Sequence, residues 1–198
     1  MKPFRLTRRA LGSAVCMTLL AGTVLFTSPT PVHAAAQGKD TLVFVNYRDL
    51  RDLNPHLYAG EMFAQEMVFE GLVTLGNDGK YHGAVAESWD ISPDGRVYTF
   101  KIRPNLKFTD GHVLDAYPVK ANFDALIDNK TRHSWLEMMR LLEGVEAPDA
   151  NTFVIKMKEA YYPMLTELAV TRPFAFVSPN VMKDGKTKNG LTAFIGSG

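Results

Sequence analysis

The turn Ser92-Pro93-Asp94-Gly95-Arg96 constrains this chain more than any other stretch. Proline presets φ at the first corner of a tight turn, and glycine supplies the positive φ that closes it. Residues 88–91 before it and 97–102 after it are rich in the aromatic and β-branched types that favour strands. The two runs must form an antiparallel hairpin. A hairpin alone is barely stable, so its apolar face has to be covered by further strands or by a helix.

The rest of the chain supplies such partners. Residues 41–47 read as a buried strand, and 48–58 as a loop with a turn at Asn54-Pro55. Met62, Phe63, Met67, Val68 and Leu72 recur near helical spacing and predict a helix over 61–72, followed by a turn at Gly76-Asn77-Asp78-Gly79. Asp115 is placed to cap a helix that tolerates Pro118 in its first turn, buries Val119, Phe123, Leu126 and Ile127, and stops at Asn129. A second helix is expected over 134–142, halted by Gly144. Phe153, Ile155 and Met157 alternate as in a strand. Pro163 opens a short helix to about residue 170, and 174–177 is extended up to Pro179. Strands and helices in this order imply α/β architecture with α+β character.

The first residues are set apart from that pattern. Lys2, Arg5, Arg8 and Arg9 precede an apolar run over 10–26, and small residues follow up to Ala34. That is the layout of a secretory signal peptide over 1–34, cleaved after Ala34, with a hint of twin-arginine export in Thr7-Arg8-Arg9. Its apolar run is short for a bilayer and is interrupted by Gly12, Gly22 and Pro29. Cys16, the only cysteine, lies within the signal. The mature chain then has no disulfide, no thiolate nucleophile and no cysteine metal ligand, and must fold on its core alone. Without the signal's four basic residues, 18 Lys and Arg face 21 Asp and Glu, a net charge of −3. That balance argues against nucleic acid as a partner.

Catalytic signatures are missing. His56, His82, His112 and His133 have no metal-ligand spacing and read as surface or capping residues. There is no phosphate-cradling glycine loop and no nucleophile elbow, so the chain is not expected to be an enzyme. What stands out instead is Arg132-His133-Ser134-Trp135 together with Arg172-Pro173-Phe174. An arginine and a tryptophan three apart share a face on a helical turn, and Pro173 pushes Arg172 toward extended backbone. Two guanidinium forks and an indole suit a small anionic ligand. The competing reading pairs Arg132 with Glu137 or Asp128 on the surface and places Trp135 in the core.

Asp94-Gly95-Arg96-Val97-Tyr98-Thr99-Phe100-Lys101-Ile102-Arg103, followed by Lys107-Phe108-Thr109-Asp110-Gly111, resembles the signature of bacterial extracellular solute-binding proteins of the peptide/nickel type. Asn54-Pro55-His56-Leu57-Tyr58, Met62-Phe63-Ala64-Gln65, Ala160-Tyr161-Tyr162-Pro163 and the two arginine segments are similar to the nickel-binding members. The resemblance implies a periplasmic binding protein type II-like fold, whose two α/β lobes close on a ligand at a hinge. It divides the chain into a signal peptide (1–34), a first segment of lobe one (35–76), an inserted accessory α+β domain (77–185) and the start of a return to lobe one (186–198), with the second lobe missing. It implies a monomeric receptor of an ABC importer that binds nickel as an anionic metallophore chelate and delivers it to permease subunits in the inner membrane. Arg132, Trp135, Arg172, Met62 and Tyr58 fall on ligand-binding positions, with no direct metal ligand in this part of the chain. The alternatives are a receptor for peptides, another metallophore or haem, an exported enzyme, or a non-functional truncated product. N-terminal sequencing of the exported protein should read Ala35-Ala36-Gln37; an intact Met1 would overturn the cleavage site.

Overall fold

The computed structural model describes residues 45, 49–50, 52–58 and 60–198. The signal peptide, its cleavage site and all but Val45 of the expected strand over 41–47 lie outside them. Val45 falls in a separate unit (1–45), and the other described residues belong to one compact unit, 46–198.

A 3-10 turn, Pro55–Leu57, opens that unit, followed by a short helix α1, Met62–Glu66. Strands β1 (Val73–Leu75) and β2 (Tyr81–Gly83) form a hairpin around the Gly76–Gly79 turn. Next come β3 (Ala86–Ile91) and β4 (Val97–Ile102), joined as expected by the proline–glycine turn, with Gly95 at φ +67°. The Asp94 carboxylate accepts from Ser92 Oγ and from the Arg96 amide, which locks the corner.

Helix α2, Ala116–Asp128, follows the expected bounds: Asp115 Oδ1 accepts from the Tyr117 amide, and Asn129 caps the far end. A 3-10 turn, Lys130–His133, leads to α3 (Glu137–Leu141), β5 (Leu142–Asp149), β6 (Thr152–Met157) and α4 (Met164–Leu168). A kinked turn over Thr171–Phe174 and another 3-10 turn, Pro179–Val181, precede the hairpin β7 (Met182–Lys183) and β8 (Lys186–Leu191).

The main sheet is antiparallel in the order β3-β4-β6-β5. Alternation along β4 and β6 turns Tyr98, Phe100, Ile102, Phe153, Ile155 and Met157 inward, all at most 1% exposed. Helix α2 covers that face with Val119, Phe123 and Leu126. Phe123 lies at its centre, with ring centroids 4.9 Å from Phe153, 6.1 Å from Phe174 and 6.4 Å from Phe176. Beside it, the Asn122 amide grips extended chain: Nδ2 donates to the Val177 carbonyl at 2.9 Å, and the Val177 amide donates to Oδ1 at 3.0 Å.

Two helices are shorter than expected. The one read over 61–72 ends at Glu66, because the following backbone is taken by tertiary pairing: the Phe176 amide donates to the Glu70 carbonyl and the Gly198 amide to Val68. Gly196 permits the second approach, since a Cβ there would lie 1.8 Å from the Val68 carbonyl oxygen. The helix read over 134–142 covers only Glu137–Leu141; Leu142 already pairs with Met157, so Gly144 is a strand residue and stops nothing. Helical periodicity gives way where a neighbouring strand offers the backbone its hydrogen bonds.

The histidines divide. His82 and His112 are on the surface, but His56 and His133 are buried. Both ring nitrogens of His56 are bonded, to the Thr187 hydroxyl at 2.9 Å and the Ala175 carbonyl at 3.1 Å. In the neutral ring Nδ1 accepts from the Thr187 hydroxyl, and Nε2 carries a proton, because a carbonyl only accepts. Burial outweighs that bond and lowers its pKa to about 3.

This has a consequence for acid stability. Above the unfolded pKa of about 6.5, both states hold a neutral His56 and no stability is lost. As pH falls from there toward 3, the unfolded chain takes up a proton that the folded chain refuses, so stability declines. The denaturation midpoint should therefore fall between pH 7 and pH 4.5, and His56→Gln, neutral throughout, should flatten the decline by roughly half. An unchanged slope in the variant would show that His56 is not its source.

Candidate functional site

The expected site residues converge on one loop. The side chain of Asn54 ties its start: Oδ1 accepts from the His56 amide, and Nδ2 donates to the Thr187 carbonyl. After the 3-10 turn, Tyr58 takes up a left-handed conformation, φ 54°, ψ 21°, which turns the chain toward Gly60. Arg132 Nε and Nη2 both donate to the Leu57 carbonyl, at 3.1 and 2.5 Å. Arg172 Nη1 donates to the Gly60 carbonyl at 3.1 Å. Two guanidinium groups from distant parts of the chain thus bracket Tyr58. Arg172 itself is extended, φ −115°, ψ 132°, as the following proline requires.

The surface alternative for Arg132 does not hold. Glu137 pairs with Arg140 at 2.6 Å, and Asp128 with Lys186 and Lys188. Among the described residues, neither Arg132 nor Arg172 has a carboxylate within ion-pair distance. Trp135 is not core either, since it is 64% exposed.

Three rings run from the interior outward. His133 is buried, Tyr58 half-buried and Trp135 exposed. The Tyr58 ring meets His133 edge-on at 5.3 Å and Trp135 edge-on at 5.6 Å. Its hydroxyl bonds His133 Nδ1 at 2.7 Å. Met62, half-buried, opens α1 two residues past the Gly60 carbonyl and is near the group through the chain.

Burial pushes the Tyr58 phenol up to about 12, against the pull of the Trp135 N–H and the positive charges of Arg132 and Arg172. Burial, assisted by Arg132, lowers His133 to about 4. At neutral pH the site therefore presents a neutral phenol, a neutral imidazole and two cations. Among the described residues, Arg132 spends two of its five N–H donors, both on Leu57, and Arg172 spends one, on Gly60. Such a set binds carboxylates. Among the described residues no group of His, Cys, Asp and Glu side chains is arranged to hold a metal ion. A separate cleft of about 470 Å³ contains Glu66 and Glu70, which accept from the Thr171 and Ser197 hydroxyls, and does not suit an anion.

Residues 80–198 match the family model described as bacterial extracellular solute-binding proteins, family 5 middle. The chain belongs to this family. Among its relatives, the nickel-binding periplasmic protein of Escherichia coli K12 is 44% identical over 169 residues, covering 84% of this chain and 32% of that protein. The crystal structure of NikA from Brucella suis in complex with Fe(III)-EDTA is 46% identical, with a TM-score of 0.74, covering 76% of this chain and 30% of that one. The periplasmic oligopeptide-binding protein OppA of E. coli K12 is 29% identical over 174 residues, 78% of this chain and 32% of that protein. This solute-binding protein chain spans about a third of the length of the curated relatives it matches. Its mixed α/β fold is that of the family's solved structures over about 76% of its residues.

Sequence reasoning brought together Arg132, Trp135, Arg172 and Tyr58, and missed His133, whose burial no spacing reveals. Difference titration of wild type against Tyr58→Phe should isolate one phenol ionising near pH 12, against about 10 for a free tyrosine. A midpoint at 10 would mean that Tyr58 stands open to water.

Proposed function

We propose that this chain is part of a periplasmic substrate-binding protein of an ABC importer, and that it binds nickel as an anionic chelate through Arg132, Arg172, Tyr58, Trp135 and Met62. The observation that carries the reading is the pair of guanidinium groups bracketing Tyr58, without carboxylate partners among the described residues and with donors to spare. The names of the relatives above, nickel-binding and in complex with Fe(III)-EDTA, support the ligand class.

Electrostatics favours a chelate over a bare ion. A free divalent cation about 5 Å from one arginine is repelled by roughly 6–7 kcal/mol at an effective dielectric of ~20, and a second arginine doubles that. Carboxylates wrapped around the metal reverse the sign and accept bidentate bonds from the forks. Trp135 and Tyr58 offer flat apolar walls to the chelator's methylene groups. The chelate is cargo, so it is released to a permease rather than transformed. The division into lobe one (35–76), inserted accessory domain (77–185) and return (186–198) belongs to the same proposal, as do a monomeric state and a cleavable signal peptide. Peptide binding is the second reading, supported by the likeness to OppA. Nothing in two cations and two rings favours haem, and that alternative is not carried forward.

Titration of a full-length version carrying both lobes with a nickel–carboxylate chelate, with melting curves in parallel, tests the reading. Arg172→Ala should weaken binding by about one to two decades, because charge-assisted bonds contribute roughly 1.5–3 kcal/mol each. Arg172→Lys keeps the charge without the fork and should fall between alanine and wild type. Met62→Leu keeps the volume and should cost under ~1.5 kcal/mol. Normal binding by Arg172→Ala would remove Arg172 from the site.

A further inference from the structure

His133 is fully buried, yet it reaches the ligand-facing surface through a single atom. Its Nδ1 meets the Tyr58 hydroxyl at 2.7 Å, and its Nε2 has no hydrogen-bond partner among the described residues. A buried imidazole normally has both nitrogens bonded, as His56 does. Leaving Nε2 unsatisfied costs free energy, and an apolar side chain of similar size would avoid that cost. What the imidazole supplies in return is the bond to Tyr58.

Tyr58 needs such an anchor. It is a non-glycine residue in left-handed backbone; Arg132 holds the peptide group just before it through the Leu57 carbonyl, and Arg172 holds the chain two residues further on through the Gly60 carbonyl. Those contacts fix the backbone and leave the ring free to turn about its side-chain bonds. The ring's outer contact is Trp135, which meets it edge-on but is itself mostly exposed and so is the less fixed of its two neighbours. His133 is therefore the fixed inner end of the series His133–Tyr58–Trp135.

We propose that His133 is a positioning residue: by bonding the Tyr58 hydroxyl from below, it holds Tyr58 against Trp135 and keeps the aromatic wall between Arg132 and Arg172 in its ligand-accepting orientation. The proposal rests on the anionic-chelate reading for its ligand, but the ring coupling stands without it. The role requires a hydrogen-bonding atom at the Nδ1 position only. Asparagine, whose side-chain amide reaches that position, should preserve it, and leucine should not.

The test is a double-mutant cycle in the full chain with two readouts. The first, without ligand, is acrylamide quenching of Trp135 emission, isolated as the emission lost in Trp135→Phe. Tyr58→Phe and His133→Leu should each raise quenching, the double variant no further, and His133→Asn should match wild type. The second is affinity for Fe(III)–EDTA. His133→Leu and Tyr58→Phe should each weaken it about three- to tenfold, as loss of one neutral hydrogen bond allows, with no added loss in the double variant and an unchanged melting temperature. Additive effects in the cycle, or quenching in His133→Leu equal to wild type, would overturn the proposal. So would His133→Asn behaving like His133→Leu. A wild-type protein carrying both lobes that ignores Fe(III)–EDTA while the quenching cycle closes as described would reject the chelate reading and leave the role of His133 supported.

Discussion

Everything in this unit depends on the burial of Phe123 between a sheet and an extended segment. Its ring touches Phe153 on β6 and Phe174 and Phe176 on the chain that leads away from Arg172. Aromatic packing of this kind is the main favourable term available to a chain without disulfides. It also has a direction. The preceding residue of α2, Asn122, bonds both polar groups of Val177, so the segment that the phenylalanines attract is set in register as well as position. Hydrophobic burial brings the pieces together and one amide decides where they stop.

The site follows from that registration. Once residues 174–178 are fixed, Arg172 is held at their start and reaches the Gly60 carbonyl. Arg132 and His133 leave the other end of α2 on a 3-10 turn and reach Leu57 and Tyr58. The Leu57 and Gly60 carbonyls are thus gripped from two elements that share one core. These carbonyls orient the guanidinium groups and, among the described residues, take only three of their ten donors, the arrangement on which the proposed anion site rests. Occupied carboxylate partners would have closed the site with the protein's own charges. The acidic side chains nearby are instead engaged elsewhere, Asp128 by Lys186 and Lys188, Glu137 by Arg140.

Local chemistry was readable wherever it needed no distant partner. The Ser92–Arg96 turn, the Asp115 cap, the Asn129 end of α2 and the alternation in β6 are each fixed by residues within one or two turns of chain, and all appear as the sequence implies. The extended backbone at Arg172 belongs with them, since Pro173 enforces it by contact between neighbours. Charge and spacing also picked out two arginines and a tryptophan as unusual, because their chemistry is carried by the side chains themselves.

Tertiary structure decided what competes for the backbone and what is buried. The helix read over 61–72 stops at Glu66 because the amides of Phe176 and Gly198 take the Glu70 and Val68 carbonyls, partners more than a hundred residues away in sequence. Gly144 was read as a helix stop and is a strand residue, since pairing with β6 begins at Leu142. His56 and His133 look like surface histidines in sequence, yet each is enclosed by segments that only the fold assembles. A side chain's type is local information, and its solvation is not. The sequence by itself determined the turns, the caps and the identity of the cations; only the assembled core determined that those cations face one loop, with a buried imidazole beneath it.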